Sequence, residues 1–295
     1  MINRAGLAWI LLGLIWGTNF VFIKWSTEAV SPMQVALVRV IAGFLTVAAY
    51  ALITKQLKLS HLRHSVHFIV MACLAAALYF YGFAAGTALL ASGLAGAVSA
   101  SIPLFSLLAA VLFLPEEKLT TNRVLGLLVG LVGVTLIAKP FTGALGDSYL
   151  LGVLWMMVGS FSLGVSFVYA RKFVTPLELP PAALTTYQLG FAALILIVVT
   201  DKTGLAALRD SPNSLAILVL GLGFLGTGLA YVLYYYVISK LGAVRASALT
   251  YVPPVVALFL GALFLGETIV VVDYLATAVI FAGVLLVNKR PKTQS

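Results

Sequence analysis

The chain has 295 residues, 62% hydrophobic and 9% charged, with a mean hydropathy of +1.12. Soluble domains carry about 25% charged residues. This chain therefore lacks the polar side chains to cover a water-facing surface, and a soluble domain, a nucleic-acid binder and a disordered chain are excluded. Its 18 basic and nine acidic residues give a net charge of +9, an excess that suits loops at an anionic lipid surface. A spanning helix needs about 20 mostly apolar residues, because the hydrocarbon core is about 30 Å thick and each residue rises about 1.5 Å. Ten runs meet that requirement: 6–25, 32–53, 66–86, 91–114, 121–138, 149–170, 181–199, 214–238, 243–265 and 270–288. Between them lie Ser31-Pro32, the Lys55–His67 stretch, Pro115 to Lys118 and Lys139-Pro140 through Asp147. Arg171–Pro181, Asp201–Pro212, Lys240-Leu241-Gly242 and Gly266-Glu267-Thr268 follow. The first run is too long for the apolar core of a signal peptide and no A-x-A site follows, so it is expected to remain as a helix. Cys73, the single cysteine, excludes an intrachain disulfide and reads as a small hydrophobe. The expected fold class is an all-α membrane protein with ten transmembrane helices.

Lysine and arginine placement sets the expected orientation. With a cytoplasmic N-terminus, thirteen fall inside: Arg4, Lys55, Lys58, Arg63, Lys118, Arg123, Arg171, Lys172, Lys240, Arg245, Lys289, Arg290 and Lys292. Four fall outside, at Lys24, Lys139, Lys202 and Arg209, and Arg39 lies within the second run. Both termini are therefore expected in the cytoplasm.

Comparison of the chain with itself reveals a repeat. Residues 79–139 align with 230–290 at a constant offset of 151, without a gap. Leu112-Phe113-Leu114-Pro115-Glu116 meets Leu263-Phe264-Leu265-Gly266-Glu267, and Pro103 meets Pro254. More weakly, Gly17 to Val21 resembles Gly164 to Val168, and Pro32 resembles Pro180. Two halves are expected, 1–140 and 149–290, each of five helices. Five is odd, so the second half would cross the bilayer in the opposite sense. Inverted repeats of this kind place a substrate site near mid-membrane where the halves meet.

Trp16-Gly17-Thr18-Asn19-Phe20, Arg39 in the second run, and the blocks Pro103 to Glu116 and Pro254 to Glu267 resemble the drug/metabolite transporter superfamily, EamA type. The resemblance covers essentially the whole chain. Within that family it is most similar to the bacterial YddG-type exporters of aromatic and other neutral amino acids. It implies two inverted five-helix repeats around a central cavity, alternating access and export of small metabolites across the inner membrane. Transport of another small-molecule class, such as organic cations or sugar-type metabolites, and a scaffold or sensor that transports nothing are the alternatives.

Charge within a span is costly, about 2.5–3.5 kcal/mol at the helix centre on insertion scales. Arg39 either attracts a substrate carboxylate at the cavity edge, or snorkels outward, or is pinned to carbonyls between helices. All nine acids stand at span ends or in loops, so nothing mid-span is available to carry a proton and facilitated export is expected. Tyr231, Tyr234, Tyr235 and Ile238 share one helical face, with Phe80 and Phe83 at repeat-related positions. Tyr79, Tyr187, Gln188 and Tyr251 are expected at comparable depth, Trp16 and Asn19 share a face of the first span, and Ser166 takes the Asn19 place in the sixth. Rings and hydroxyls with few charges suit zwitterions with apolar side chains. Pro103 and Pro254, midway along their runs, read as kinks and candidate hinges, with Ser99 and Thr250 one turn earlier. Glycines at 13/17, 82/86 and 126/130 allow close helix contact.

Other chemistries find no support. Gly221 to Gly226 matches G-x-G-x-x-G but lies inside a span, and no phosphate-binding G-K-[ST] loop follows. His61, His64 and His67 precess around a helix and read as a solvated loop rather than metal ligands. No cofactor, metal, catalytic group or nucleic-acid partner is expected. The expected partners are a small-molecule substrate, neutral or aromatic amino acids first, and the lipid bilayer.

Overall fold

A computed structural model describes residues 4–114, 120–138, 147–268 and 270–288. Every regular element among them is helical. Among the described residues, seven helices are long and apolar enough to cross a membrane: α1 (Arg4–Thr27), α2 (Pro32–Ile53), α3 (Leu59–Leu89), α4 (Ser92–Phe113), α6 (Ser148–Leu177), α7 (Pro181–Val199) and α8 (Pro212–Leu241). Three shorter apolar helices complete the set: α5 (Thr121–Ile137), α9 (Val252–Leu265) and α10 (Val271–Val287). The outward surface carries large apolar side chains such as Leu45, Leu112, Val198 and Phe259, each at least 60% exposed, as a lipid-facing surface requires.

Several boundaries differ from those the sequence suggests. α3 begins as a 3-10 turn, Leu59–His64, inside what reads as a loop. There His61 is buried against the Tyr187 ring, and His67 Nδ1 is 2.8 Å from Tyr169 Oη, so these two histidines pack into the protein rather than standing in solvent. Lys240-Leu241-Gly242 is no break, because the helix runs unbroken from Ala230 to Ser247. One lysine and one glycine remove too little helix propensity to stop it against tertiary packing. Lys24 sits in the last turn of α1 rather than in a loop. α6 continues past Tyr169 through a π turn, Ala170–Val174, which takes Arg171 and Lys172 into helix. Lys118, Lys139, Lys289, Arg290, Lys292, the Pro115–Lys118 break, and the side chains of Arg245 and Thr250 lie outside the described residues.

The two prolines do not kink the middle of a continuous helix. α4 is broken at Ala100-Ser101 into Ser92–Ser99 and Ile102–Phe113, and Pro103 stands in the first turn of the second piece. Pro254 likewise stands in the first turn of α9, which follows a 3-10 turn at Ala248–Tyr251. Proline is tolerated where its missing N–H has no intrahelical acceptor and disfavours helix just before it, so each break precedes its proline.

Packing is set by small residues. Gly13 and Gly17 of α1 take Val252 and Val256 of α9, and a Cβ on Gly82 of α3 would stand 2.9 Å from the Trp155 carbonyl of α6. A Cβ on Gly126 of α5 would stand 2.6 Å from the Gly283 carbonyl of α10. Further neighbours are α2 with α7 and α8, α4 with α6 and α9, α3 with α7, and α1 with α8. One end of the bundle is tied by polar contacts. Ser31 and Gln34 form a capping box at the start of α2, and Gln34 Nε2 donates to the carbonyls of Asp201 and Thr203 in the α7–α8 connection. At the same end, Lys24 Nζ donates to the carbonyls of Thr87, Ala88 and Leu90 at the close of α3, at 3.3, 3.0 and 2.8 Å. Glu267 accepts from the backbone N–H groups of Ser92 and Gly93 and from the Ser92 hydroxyl, at the start of α4. A cation at a helix C-terminus and an anion at an N-terminus both oppose the helix dipole charges, so the α3–α4 junction is pinned from two sides.

Candidate functional site

The interior between α1, α2, α3 and α8 holds a buried cation. Arg39, on α2, is 4% exposed. Its Nε donates to Thr227 Oγ1 at 2.9 Å, its Nη2 to the Gly226 carbonyl at 3.3 Å, and its guanidinium lies 4.2 Å from the Phe80 ring centroid. Nη1 makes no hydrogen bond among the described residues. Tyr79 and Tyr231 are the electrostatic neighbours of the guanidinium. Burial of this charge is tolerated because a hydroxyl, a carbonyl and a ring face replace part of its hydration.

The acceptors come from a feature the sequence did not disclose. The middle of α8, Ile217–Leu229, is a π-helix, and it contains the Gly221 to Gly226 run. Thr227 Oγ1 donates to the Leu222 carbonyl five residues back and accepts from Arg39, so the π register delivers an oriented acceptor. Small residues let α2 and α8 approach closely enough for this: Gly43 faces Thr227, Gly223 faces Ala42 and Gly228 faces Thr46. π segments inside α-helices occur often at functional sites.

Asn19, on α1, is buried and its Oδ1 has no hydrogen-bond partner among the described residues. It lies against Gly226, on which a Cβ would collide with it. Trp16, one turn earlier, meets Tyr234 at 5.6 Å between centroids. Tyr231 and Tyr235 stack at 6.3 Å, and the Tyr235 hydroxyl lies 2.9 Å from Thr185 Oγ1 on α7. Gln188, one turn along α7, is buried and makes no hydrogen bond among the described residues. Tyr79 bridges Phe80 and Phe83, at 4.7 and 4.6 Å, and Phe83 meets Phe20 of α1 at 5.8 Å.

The structure thus brings together Trp16, Asn19, Arg39, Tyr79, Phe80, Phe83, Tyr231, Tyr234 and Tyr235, but it places four other expected site residues elsewhere. Tyr187 stacks on Phe68 and donates to the Lys58 carbonyl, at the basic end of the bundle rather than at mid-depth. Ser99 donates to the Gly96 carbonyl at the α4 break. Ser166 donates to Leu163 on the stretch of α6 that packs against the second piece of α4. Tyr251 meets Phe281 of α10. Thr227, Gly226 and Thr185 are the residues that sequence reading missed. For Gly226 and Thr227 the signal was the glycine-rich run inside a span, which marks a close helix approach; Thr185 carried none.

A cleft of about 360 Å³ opens beside this cluster, lined at its mouth by Tyr50, Gln56, Pro181 and Ser239 and at its inner side by Tyr231 and Tyr235. Its size lies within the range of about 300–1,000 Å³ for small-molecule sites. Tyr231 lines the cleft and also packs with Phe80, the ring beneath the Arg39 guanidinium, in one apolar cluster.

The sequence profile of the EamA-like transporter family matches residues 4–139 and again 150–289. The chain belongs to the EamA-like transporter family. YdfC of Bacillus subtilis (strain 168), an uncharacterized transporter, is 27% identical over 288 residues, covering 96% of this chain and 91% of its own. YedA of Escherichia coli (strain K12), an uncharacterized inner membrane transporter, is 28% identical over 286 residues, covering 94% and 88%. A solved crystal structure of a protein superposes over 100% of both chains with a TM-score of 0.62 and 24% identity, a likeness that establishes the fold alone. As an EamA-like protein the chain is a multi-pass membrane protein of a transporter family, and its charged cluster lies in the interior of its helix bundle.

Proposed function

We propose that this EamA-like protein exports neutral and aromatic amino acids, or related small metabolites, across the inner membrane by alternating access and without ATP. The observation that carries the reading is a buried arginine, Arg39, set against the Phe80 ring and the Thr227 hydroxyl, with a cleft lined by Tyr231 and Tyr235 in the same bundle. A carboxylate is the partner a guanidinium with a spare edge recruits, and rings suit an apolar side chain. The similarity to YddG-type exporters noted from the sequence motifs points to the same substrate class. The substrate-contacting set on this reading is Trp16, Asn19, Arg39, Tyr79, Phe80, Phe83, Gln188, Tyr231, Tyr234 and Tyr235.

The architecture on this reading is ten helices in two inverted repeats, 1–140 and 149–290, with both termini in the cytoplasm. Supporting it, the observed neighbours recur when each helix number is shifted by five: α1 with α9 and α6 with α4, α2 with α8 and α7 with α3. The cleft then opens at the cytoplasmic end, beside Gln56 and Ser239, while Lys24 and Glu267 tie the outer end. Rocking about the breaks before Pro103 and Pro254 would exchange the two. Cells overproducing the protein and preloaded with radiolabelled L-phenylalanine are expected to lose label faster than cells carrying Arg39→Ala. Equal loss for every neutral amino acid tested overturns the substrate assignment. Export that a protonophore abolishes overturns the facilitated mechanism.

A further inference from the structure

Two buried polar side chains with bonding capacity unspent among the described residues meet the same residue, Gly226. Arg39 uses Nε on Thr227 and Nη2 on the Gly226 carbonyl, and Phe80 covers one face of its guanidinium, which leaves the edge carrying Nη1. Asn19 is 7% exposed, and its Oδ1, without a partner, lies against the Cα of the same Gly226. Buried polar groups in native interiors are nearly always satisfied, so an exception calls for a physical reason. Here the unmet needs are opposite in kind: a cationic donor on α2 and a bare acceptor on α1.

We infer that Arg39 Nη1 and Asn19 Oδ1 form a two-point site for a zwitterionic head group, the guanidinium taking a carboxylate and the amide oxygen taking an ammonium. This rests on the amino-acid reading above and adds that both substrate charges are read together. In an α-amino acid the two charged groups are separated by one carbon, and here a donor and an acceptor converge on one residue, Gly226, that has no Cβ to stand between them. A charge moved into an apolar interior is costly unless paired and hydrogen-bonded. A zwitterion meets both protein groups, whereas a simple amine leaves Arg39 unmatched and a simple acid leaves Asn19 unmatched. Thr227 acts through Arg39 as a positioning residue: it fixes Nε from the π segment and so aims Nη1.

The test is competition against radiolabelled L-phenylalanine uptake into vesicles holding the purified full-length protein. Three probes share one ring: unlabelled L-phenylalanine, 2-phenylethylamine without the carboxylate, and 3-phenylpropanoate without the amine. On wild type each single-charge probe is expected to compete at least about tenfold more weakly than L-phenylalanine, the effect of losing one charge-assisted hydrogen bond. Arg39→Gln is expected to abolish the disadvantage of the amine, and Asn19→Leu that of the acid. Equal competition by the three probes on wild type overturns the two-point site while leaving amino-acid transport standing, and needs no variant to fold. An Asn19→Leu protein that still discriminates against 3-phenylpropanoate as wild type does overturns the role of Asn19. Failure of wild type to take up any neutral amino acid overturns the transport reading and the inference with it.

Discussion

Lys24→Met removes an ammonium and keeps the length of an apolar stem. All three N–H groups of Lys24 are engaged, with the carbonyls of Thr87, Ala88 and Leu90 at the end of α3. Hydrogen bonds to a charged group are worth about 1.5–3 kcal/mol each, so a simple sum gives about 5–9 kcal/mol. Lys24 is only half-buried, so water can reach the released carbonyls. The expected cost is therefore nearer about 2–4 kcal/mol, including the lost cation at a helix C-terminus. At about 2–4 °C per kcal/mol for chains of this size, the detergent-purified variant should lose about 4–16 °C in Tm. Glu267 pins the other side of the same junction through Ser92 and Gly93. The Lys24→Met/Glu267→Gln double variant should therefore lose less than the sum of the two singles, since contacts to one shared element are not additive. A Lys24→Met protein within about 1 °C of wild type, or a strictly additive double variant, refutes the reasoning.

Four further outcomes follow from the same geometry. Thr227→Val keeps the shape but removes the acceptor of Arg39 Nε, and should raise KM for L-phenylalanine about tenfold with kcat little changed, whereas Thr227→Ser should restore it. Gly126→Val forces α5 away from the Gly283 carbonyl and should cost about 1–3 kcal/mol or more in thermal stability. Tyr235→Phe cuts the hydroxyl contact between α8 and Thr185 of α7, and should speed labelling of a cysteine placed at Ser239 at the mouth of the cleft. Transport should change less than about twofold between pH 6 and 8, because a guanidinium holds its charge across that range. In the α7–α8 connection, hydrogen bonds from the Thr203 hydroxyl and N–H hold the Asp201 carboxyl below the usual carboxylate range. That turn is fully favoured above the unfolded pKa of about 3.9 and loosens only as pH falls below it through the lowered folded pKa, outside the transport window.

Apolar runs, the buried arginine and the ring-rich faces were legible because each is a local property of composition or spacing. Arg39 stood out as one cation in a run with no other charge, and Tyr231 and Tyr235 followed from a helical period. The partners of Arg39 were not legible, because they lie 187 and 188 residues away and depend on a π register that no pattern of residue types specifies. Lys24 read as an external loop cation for the same reason: the carbonyls that hold it lie 63 to 66 residues along the chain. Tyr187 shares composition with the interior tyrosines and differs only in depth, which the position of the Lys58 carbonyl decides. Pro103 and Pro254 each stand just after an interruption of α-helix. Whether a proline kinks a helix or opens a new one turns on its neighbours' backbone angles, and Ala100 and Ser101 supply the break.

The most direct measurement is counterflow in liposomes that contain this protein alone. Vesicles preloaded with unlabelled L-phenylalanine and diluted into a trace of labelled L-phenylalanine should accumulate label transiently without ATP or an ion gradient, and vesicles with Arg39→Ala at matched amounts should not. No accumulation by wild type for any neutral amino acid, or the same accumulation by Arg39→Ala, would contradict transport through the Arg39 cluster.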